Sequence, residues 1–158
     1  MLLPALFLQP GVETLFRSRC ITMARDKKTD VVRITAHGGD NAAVSCGIDG
    51  LMQSTDALLD ANKPFTVVWD LRDSAIPGIV DTARLLRWSV SKHNQLNSLT
   101  TKMAVIVPEG PVKTSAARVL RAFSGNVPII MSSDETEVEA FLQNDVLLGS
   151  SMWNPLTE

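Results

Sequence analysis

The chain has 158 residues, 45% hydrophobic and 20% charged, with a formal net charge of -2, the profile of one globular domain able to bury a core. That balance argues against a dedicated nucleic-acid binder, and the lack of an apolar run of about 18 residues argues against a membrane span. The two cysteines, Cys20 and Cys46, have no metal-ligand spacing and make neither a zinc site nor a disulfide framework. Cys46, in an apolar and small-residue stretch, reads as a buried thiol in a reducing compartment.

Residues 1–29 read as an N-terminal extension. Met1–Pro10 is apolar but short and lacks a basic lead-in, which makes a poor secretory signal. Arg17-Ser18-Arg19 then adds basic and hydroxyl residues. Three readings stand together: an organelle presequence over residues 1–22, an upstream segment ahead of a start at Met23, or an extra helix packed on the domain. Cytoplasmic placement is expected, with organelle import if residues 1–22 are a presequence.

Val31–Ala36 alternates as a short strand and ends in the turn Gly38-Gly39-Asp40. Residues 41–46 fit a second strand or a helix lead-in. Ile48, Leu51, Met52, Thr55, Leu58 and Leu59 recur at helical spacing and predict a helix over Asp49–Asn62, stopped before Pro64. Phe65–Asp70 is an apolar run ending in charge. After the turn at Ile76-Pro77-Gly78, the periodicity predicts one long helix from Ile79 to about Leu96. Its residues Ile79, Ala83, Leu86 and Val90 share a stripe about 60° wide that should face a sheet. Met103–Val107 is apolar on both faces. Two such strands joined by a helix-length crossover predict adjacent, parallel neighbours at the centre of a sheet.

Pro111 suits the first turn of a further helix carrying Ala116, Val119, Leu120 and Phe123, closed by Gly125-Asn126. Val127–Met131 reads as a strand whose Pro128 favours an edge. Ser133–Glu137 is an acidic helix start matched to the helix dipole, docked by Val138, Phe141 and Leu142. Residues 149–158 form a turn-rich tail expected to pack through Trp153. The expected fold is therefore α/β: a single domain over residues 30–148, with a central mixed sheet of four or five strands and helical crossovers.

This order of elements resembles the STAS domain, the SpoIIAA-like family, whose fold is shared with CRAL-TRIO lipid-binding domains. The likeness rests on Phe65-Thr-Val-Val-Trp-Asp70-Leu-Arg72, on Lys102–Pro108 after a long helix, and on Pro128–Leu142 with its Ser-Ser-Asp-Glu-Thr-Glu-Val-Glu-Ala-Phe-Leu run. It spans about residues 31–143. It implies a non-enzymatic protein-interaction or regulatory module with a protein partner; the alternative it implies is a domain that binds a small apolar ligand or lipid. Family phospho-switches carry Asp-Ser-Ser-Gly at positions that fall near Gly78, Ile79 and Val80 here, and none of these is a hydroxyl residue. Ser74 and Thr82 are nearest and do not align, so the usual phosphoacceptor serine is missing from its place.

The residues offer several candidate sites. Asp70, Arg72, Asp73 and Ser74 lie at the carboxyl end of a central strand, where open α/β sheets place ligands, although such clusters also serve turns and caps. Arg84, Leu85, Arg87 and Trp88 have the composition of a partner-binding hot spot, with burial against a neighbouring helix as the alternative. Glu109–Ser115 lacks full phosphate-loop spacing, and His37 and His93 stand beside no recognisable nucleophile. No catalytic residue, metal ligand or cofactor is assigned, and an enzyme is the less favoured reading. Charge is polarised along the chain. Thr82–Arg121 holds seven basic residues against Glu109 alone, whereas Ala122–Glu158 holds six acidic residues and no Lys or Arg, a pattern able to orient a partner.

Overall fold

The computed structural model describes residues 11–74, 78–123 and 127–143, without the side chains of residues 119 and 121–123. The elements in chain order are β1 (Val12–Arg17), β2 (Ile21–Asp26), β3 (Val31–His37), α1 (Asn41–Asp60), β4 (Phe65–Asp73), α2 (Ile79–Ser91), α3 (His93–Leu99), β5 (Thr100–Ile106), α4 (Pro111–Phe123), β6 (Ile129–Ser132) and α5 (Glu135–Gln143). They build one mixed sheet of six strands in the order β1-β2-β3-β4-β5-β6. The first three strands form an antiparallel meander, and β3 to β6 run parallel through helical crossovers.

The sheet carries six strands rather than four or five because residues 12–26, expected to lie in an extension, form its first hairpin. Ser18 pins the turn: its hydroxyl accepts from the Ile21 N–H at 3.0 Å and donates to the Ile21 carbonyl at 3.1 Å. Met23 is the centre of β2 and 1% exposed. A Cβ on Gly50 would collide with the Phe16 ring, so this glycine lets β1 lie against α1. Residues 1–10, the tail 149–158 with Trp153, and Gly125-Asn126 lie outside the described residues.

Strands β4 and β5 are adjacent and parallel, as expected, with Val68 opposite Ala104 and Trp69 opposite Val105. Strand alternation sorts their side chains onto two faces. On one face Val68, Ala104, Ile106 and Ile130 pack with Val138 and Phe141 of α5. On the other, Val67, Met103 and Val105 meet residues of α1, α2, α3 and α4. The acidic α5 and the basic α2 and α4 therefore lie on opposite faces. Asp134 starts α5 by accepting from the Thr136 N–H at 2.8 Å. Helix α1 begins eight residues earlier than the periodicity suggests, because Asp40 caps it by accepting from the Ala43 N–H at 2.8 Å.

The long helix expected from Ile79 to about Leu96 is two helices, separated at Lys92 (φ -105°, ψ 9°). Its orientation also differs. Ile79 and Val90, expected to face the sheet, are 90% and 63% exposed, and Ala83 is exposed as well. Leu85 and Trp88 instead pack against the core, and Asp81 and Ser89 are buried. The reason is polar. Residues on this side of α2 have hydrogen-bonding partners on α1 that the apolar stripe could not use.

The two faces should respond differently to truncation. Phe141→Ala, at a site 1% exposed within the α5 face, should cost about 3–5 kcal/mol. Leu86→Ala, at a half-buried position bordering open space, should cost less than about 1.5 kcal/mol. Urea denaturation of the two variants measures the difference, and similar costs would contradict the assigned faces.

Candidate apolar cavity

Helix α2 packs on α4, α1 and α3, and the space between it and the sheet is not filled. The result is a cavity of about 580 Å³. Strands β2 to β5 line it with Met23, Ile34, Val67 and Val105, and the helices add Leu51, Leu85, Leu96 and Leu120. All but Leu85 are buried. The cavity reaches the surface beside Ile79 and the exposed His37, at the carboxyl edge of the parallel strands. At the amino edge, the buried side chains of Leu58, Phe65 and Leu96 border it.

A ladder of polar contacts holds α2 in place over this space. The Ser45 hydroxyl donates to the two Asp81 carboxylate oxygens at 3.0 and 2.8 Å. Arg84 pairs with Asp81 at 3.0 Å and with Asp49 of α1. The Trp88 indole N–H donates to Asp56 at 3.0 Å, and the Lys92 ammonium stands 3.7 Å from the same carboxylate. Leu85 and Trp88 thus line the cavity from above, Arg84 is engaged with α1, and Arg87 is exposed.

Among the described residues, Thr55, Ser74, Thr82, Ser89, Thr100 and Ser115 bring hydroxyl groups to the lining. Thr100 is 5% exposed, and its Oγ1 has no hydrogen-bond partner; an unmatched buried hydroxyl costs on the order of 1–3 kcal/mol. Ser89 is also buried, at 7% exposure. Neither was legible as a site residue, since a Ser or Thr among apolar neighbours carries no sequence signal of its own.

The strand-end candidates divide between two environments. Asp70 and Arg72 lie on the α5 face, where they engage each other and two distant residues. Arg72 donates to Asp70 from Nε at 3.0 Å and from Nη2 at 2.7 Å, and Arg33 donates to Asp70 at 2.9 Å. Glu135 of α5 accepts from Arg33 at 3.0 Å and from Arg72 at 3.3 Å. Burial pushes the Asp70 carboxyl upward, but hydrogen bonds from Arg72 and Arg33 and the Arg72 charge outweigh it and hold the pKa at about 2. Asp73 is exposed, and Ser74 borders the cavity.

The remaining candidates are accounted for locally. His93 contacts Asn97 at 2.9 Å, and Lys113 pairs with Glu109 at 3.0 Å. Cys46, expected to be buried, is exposed on α1, whereas Cys20 is the buried thiol; the capped helix turns the Cys46 face outward. Among the described residues no group of three or more His, Cys, Asp or Glu side chains is placed to hold a metal ion, and no helix is long and apolar enough to cross a membrane.

The Asp70 network makes stability depend on acid. Its folded pKa of about 2 lies below the ordinary 3.8, so its contribution is present above about pH 4 and is lost as pH falls through about 2. Acid unfolding should therefore show a loss of about 2 kcal/mol across that window that Asp70→Asn lacks. Parallel curves for the two proteins would contradict this role.

No family model, curated protein or solved structure matches this chain.

Proposed function

We propose that this domain binds a small apolar molecule or a lipid tail between its sheet and the helices α1, α2 and α4. The observation that carries this reading is the cavity of about 580 Å³, a size within the roughly 300–1,000 Å³ that small-molecule sites occupy. Its lining is mainly aliphatic and aromatic, so transferring a hydrocarbon chain into it from water is favourable at about 25 cal/mol per Å² of apolar area removed. The reading is non-enzymatic: the acid–base groups near the end of β4 are engaged with one another on the opposite face. It agrees with the resemblance to the fold shared by STAS and CRAL-TRIO domains.

A second reading, a protein-interaction module, has its own support. Ile79, Val80 and Val90 are 90%, 73% and 63% exposed on α2, and the exposed Arg87 stands on the same helix. The contact surface in that reading is this outward stripe rather than Leu85 and Trp88. Capture of a partner from native extract, compared between wild type and the double variant Ile79→Lys, Val90→Lys, checks it. Equal capture by both proteins would contradict it.

For the leading reading, wild type should bind 1-anilinonaphthalene-8-sulfonate and release it when a medium-chain aliphatic compound is added. A compound held at a hundred times its Kd should also raise folding stability by about 2.7 kcal/mol. Ala116→Phe, which places a ring in the cavity from a half-buried position on α4, should weaken binding at least about tenfold while the protein stays folded. Absence of both displacement and stabilisation in wild type would remove the reading.

A further inference from the structure

Helix α2 is amphipathic in the reverse sense. Its exposed residues are Ile79, Val80, Ala83, Arg87, Val90 and Ser91, which fall within an arc of about 120° at roughly 100° per residue. Four of the six are aliphatic, one is a cation and none is an acid. Ile79, Val80 and Val90 are also the exposed large hydrophobic residues among the described part of the chain. The polar groups point the other way, Asp81 to Ser45, Arg84 to Asp49 and the Trp88 N–H to Asp56. An outward aliphatic arc gains free energy when an apolar medium covers it.

The arc stands at the rim of the cavity. Ile79 and Ala83 line the cavity and are exposed at the same time, so whatever covers them also lies over the opening. A protein surface there would shut the cavity, whereas the acyl region of a lipid surface would continue its apolar wall.

Charge on this side is of one sign. Helices α2 and α4 carry Arg84, Arg87, Lys113, Arg118 and Arg121 against a single acid, Asp81. Asp81 is buried and engaged by Ser45 and Arg84, while Arg87 and Arg118 are exposed. On α1, Asp49 and Asp56 are paired with Arg84 and Lys92, and Asp60 is exposed at the far end of that helix. Glu135, Glu137 and Glu139 belong to α5, on the opposite face of the sheet. An anionic surface would attract the α2 and α4 side and repel the α5 side, which selects one orientation. Aliphatic side chains beside arginines are what an interfacial helix presents to head groups and acyl chains.

We propose that the outer face of α2, with Arg87 and Arg118 beside it, docks on an anionic lipid surface, and that the cavity takes its ligand from that surface. The loading step rests on the apolar-ligand reading above; the docking step does not.

Flotation with vesicles of phosphatidylcholine alone, and of equal parts phosphatidylcholine and phosphatidylglycerol, tests the docking. Wild type should bind the mixed vesicles at least about fivefold more tightly, the factor that one arginine contributes near an anionic surface. Ile79→Gln combined with Val90→Gln should weaken binding at least about tenfold. Arg87→Gln should lose about fivefold on the mixed vesicles and nothing on phosphatidylcholine. These positions are exposed, so urea midpoints should match wild type; should the double variant unfold earlier, Val80→Gln combined with Val90→Gln makes the same comparison. Ala116→Phe, which fills the cavity, should float like wild type but fail to draw pyrene-labelled decanoate out of mixed vesicles, as wild type should do. Absence of wild-type flotation overturns the proposal and leaves the arc to the protein-interaction reading. Undiminished binding by the aliphatic variants, no preference for the anionic mixture, or equal loss of flotation in Ala116→Phe also overturns it. Docking without transfer by wild type overturns the loading step. The apolar-ligand reading is separable, because displacement of 1-anilinonaphthalene-8-sulfonate in solution needs no vesicle.

Discussion

Helix α2 docks on its neighbour through groups that can hydrogen-bond, and the open space above the sheet follows from that choice. Asp81, Arg84, Trp88 and Lys92 each find a partner on α1, at Ser45, Asp49 or Asp56. Turning the apolar stripe of Ile79 and Val90 toward the strands instead would swing these side chains away from α1 and break the set. Polar contacts fix the helix at their own length and direction, and aliphatic packing against the sheet is given up. The cost appears twice, as an unfilled cavity and as exposed aliphatic side chains on the outer face of α2.

The opposite face of the sheet has the reverse character. Val68, Ala104, Ile106, Ile130, Val138 and Phe141 are all at most 1% exposed. The carboxylate of Asp70 is surrounded there by Arg33 and Arg72, with Glu135 joining β3 and β4 to α5. Stability is thus concentrated on one face and accessible volume on the other. This division suits a binding domain, because the elements that admit a ligand are drawn from the less firmly packed part of a structure. Charge follows the same division, with the acidic α5 on the close-packed face and the basic α4 on the cavity face.

Much of the fold was legible in the sequence. Strands β4 and β5 announce themselves as runs apolar on both faces, and Pro128 places β6 at an edge. Helix α4 starts at Pro111 as its ring geometry suggests. The face of α2 was not legible, because a helical wheel weighs hydrophobicity and cannot see that the Trp88 N–H has Asp56 to bind. Strands β1 and β2 were missed because Arg17 and Arg25 interrupt the alternation that marks a strand. Asp70 and Arg72 stood out as candidates, but Arg33 lies 37 residues from Asp70 and Glu135 lies 63 residues from Arg72, and local sequence cannot report such pairing.

The central claim is that one face of this sheet borders an accessible apolar cavity while the other is closed. Methyl NMR under xenon pressure tests it directly, since xenon enters apolar cavities and needs no hydrogen bond. The methyl signals of Ile34, Leu51, Val67 and Val105 should shift progressively with pressure, while those of Val68, Ile106, Ile130 and Val138 stay fixed. Equal response on both faces, or none on either, would contradict the account.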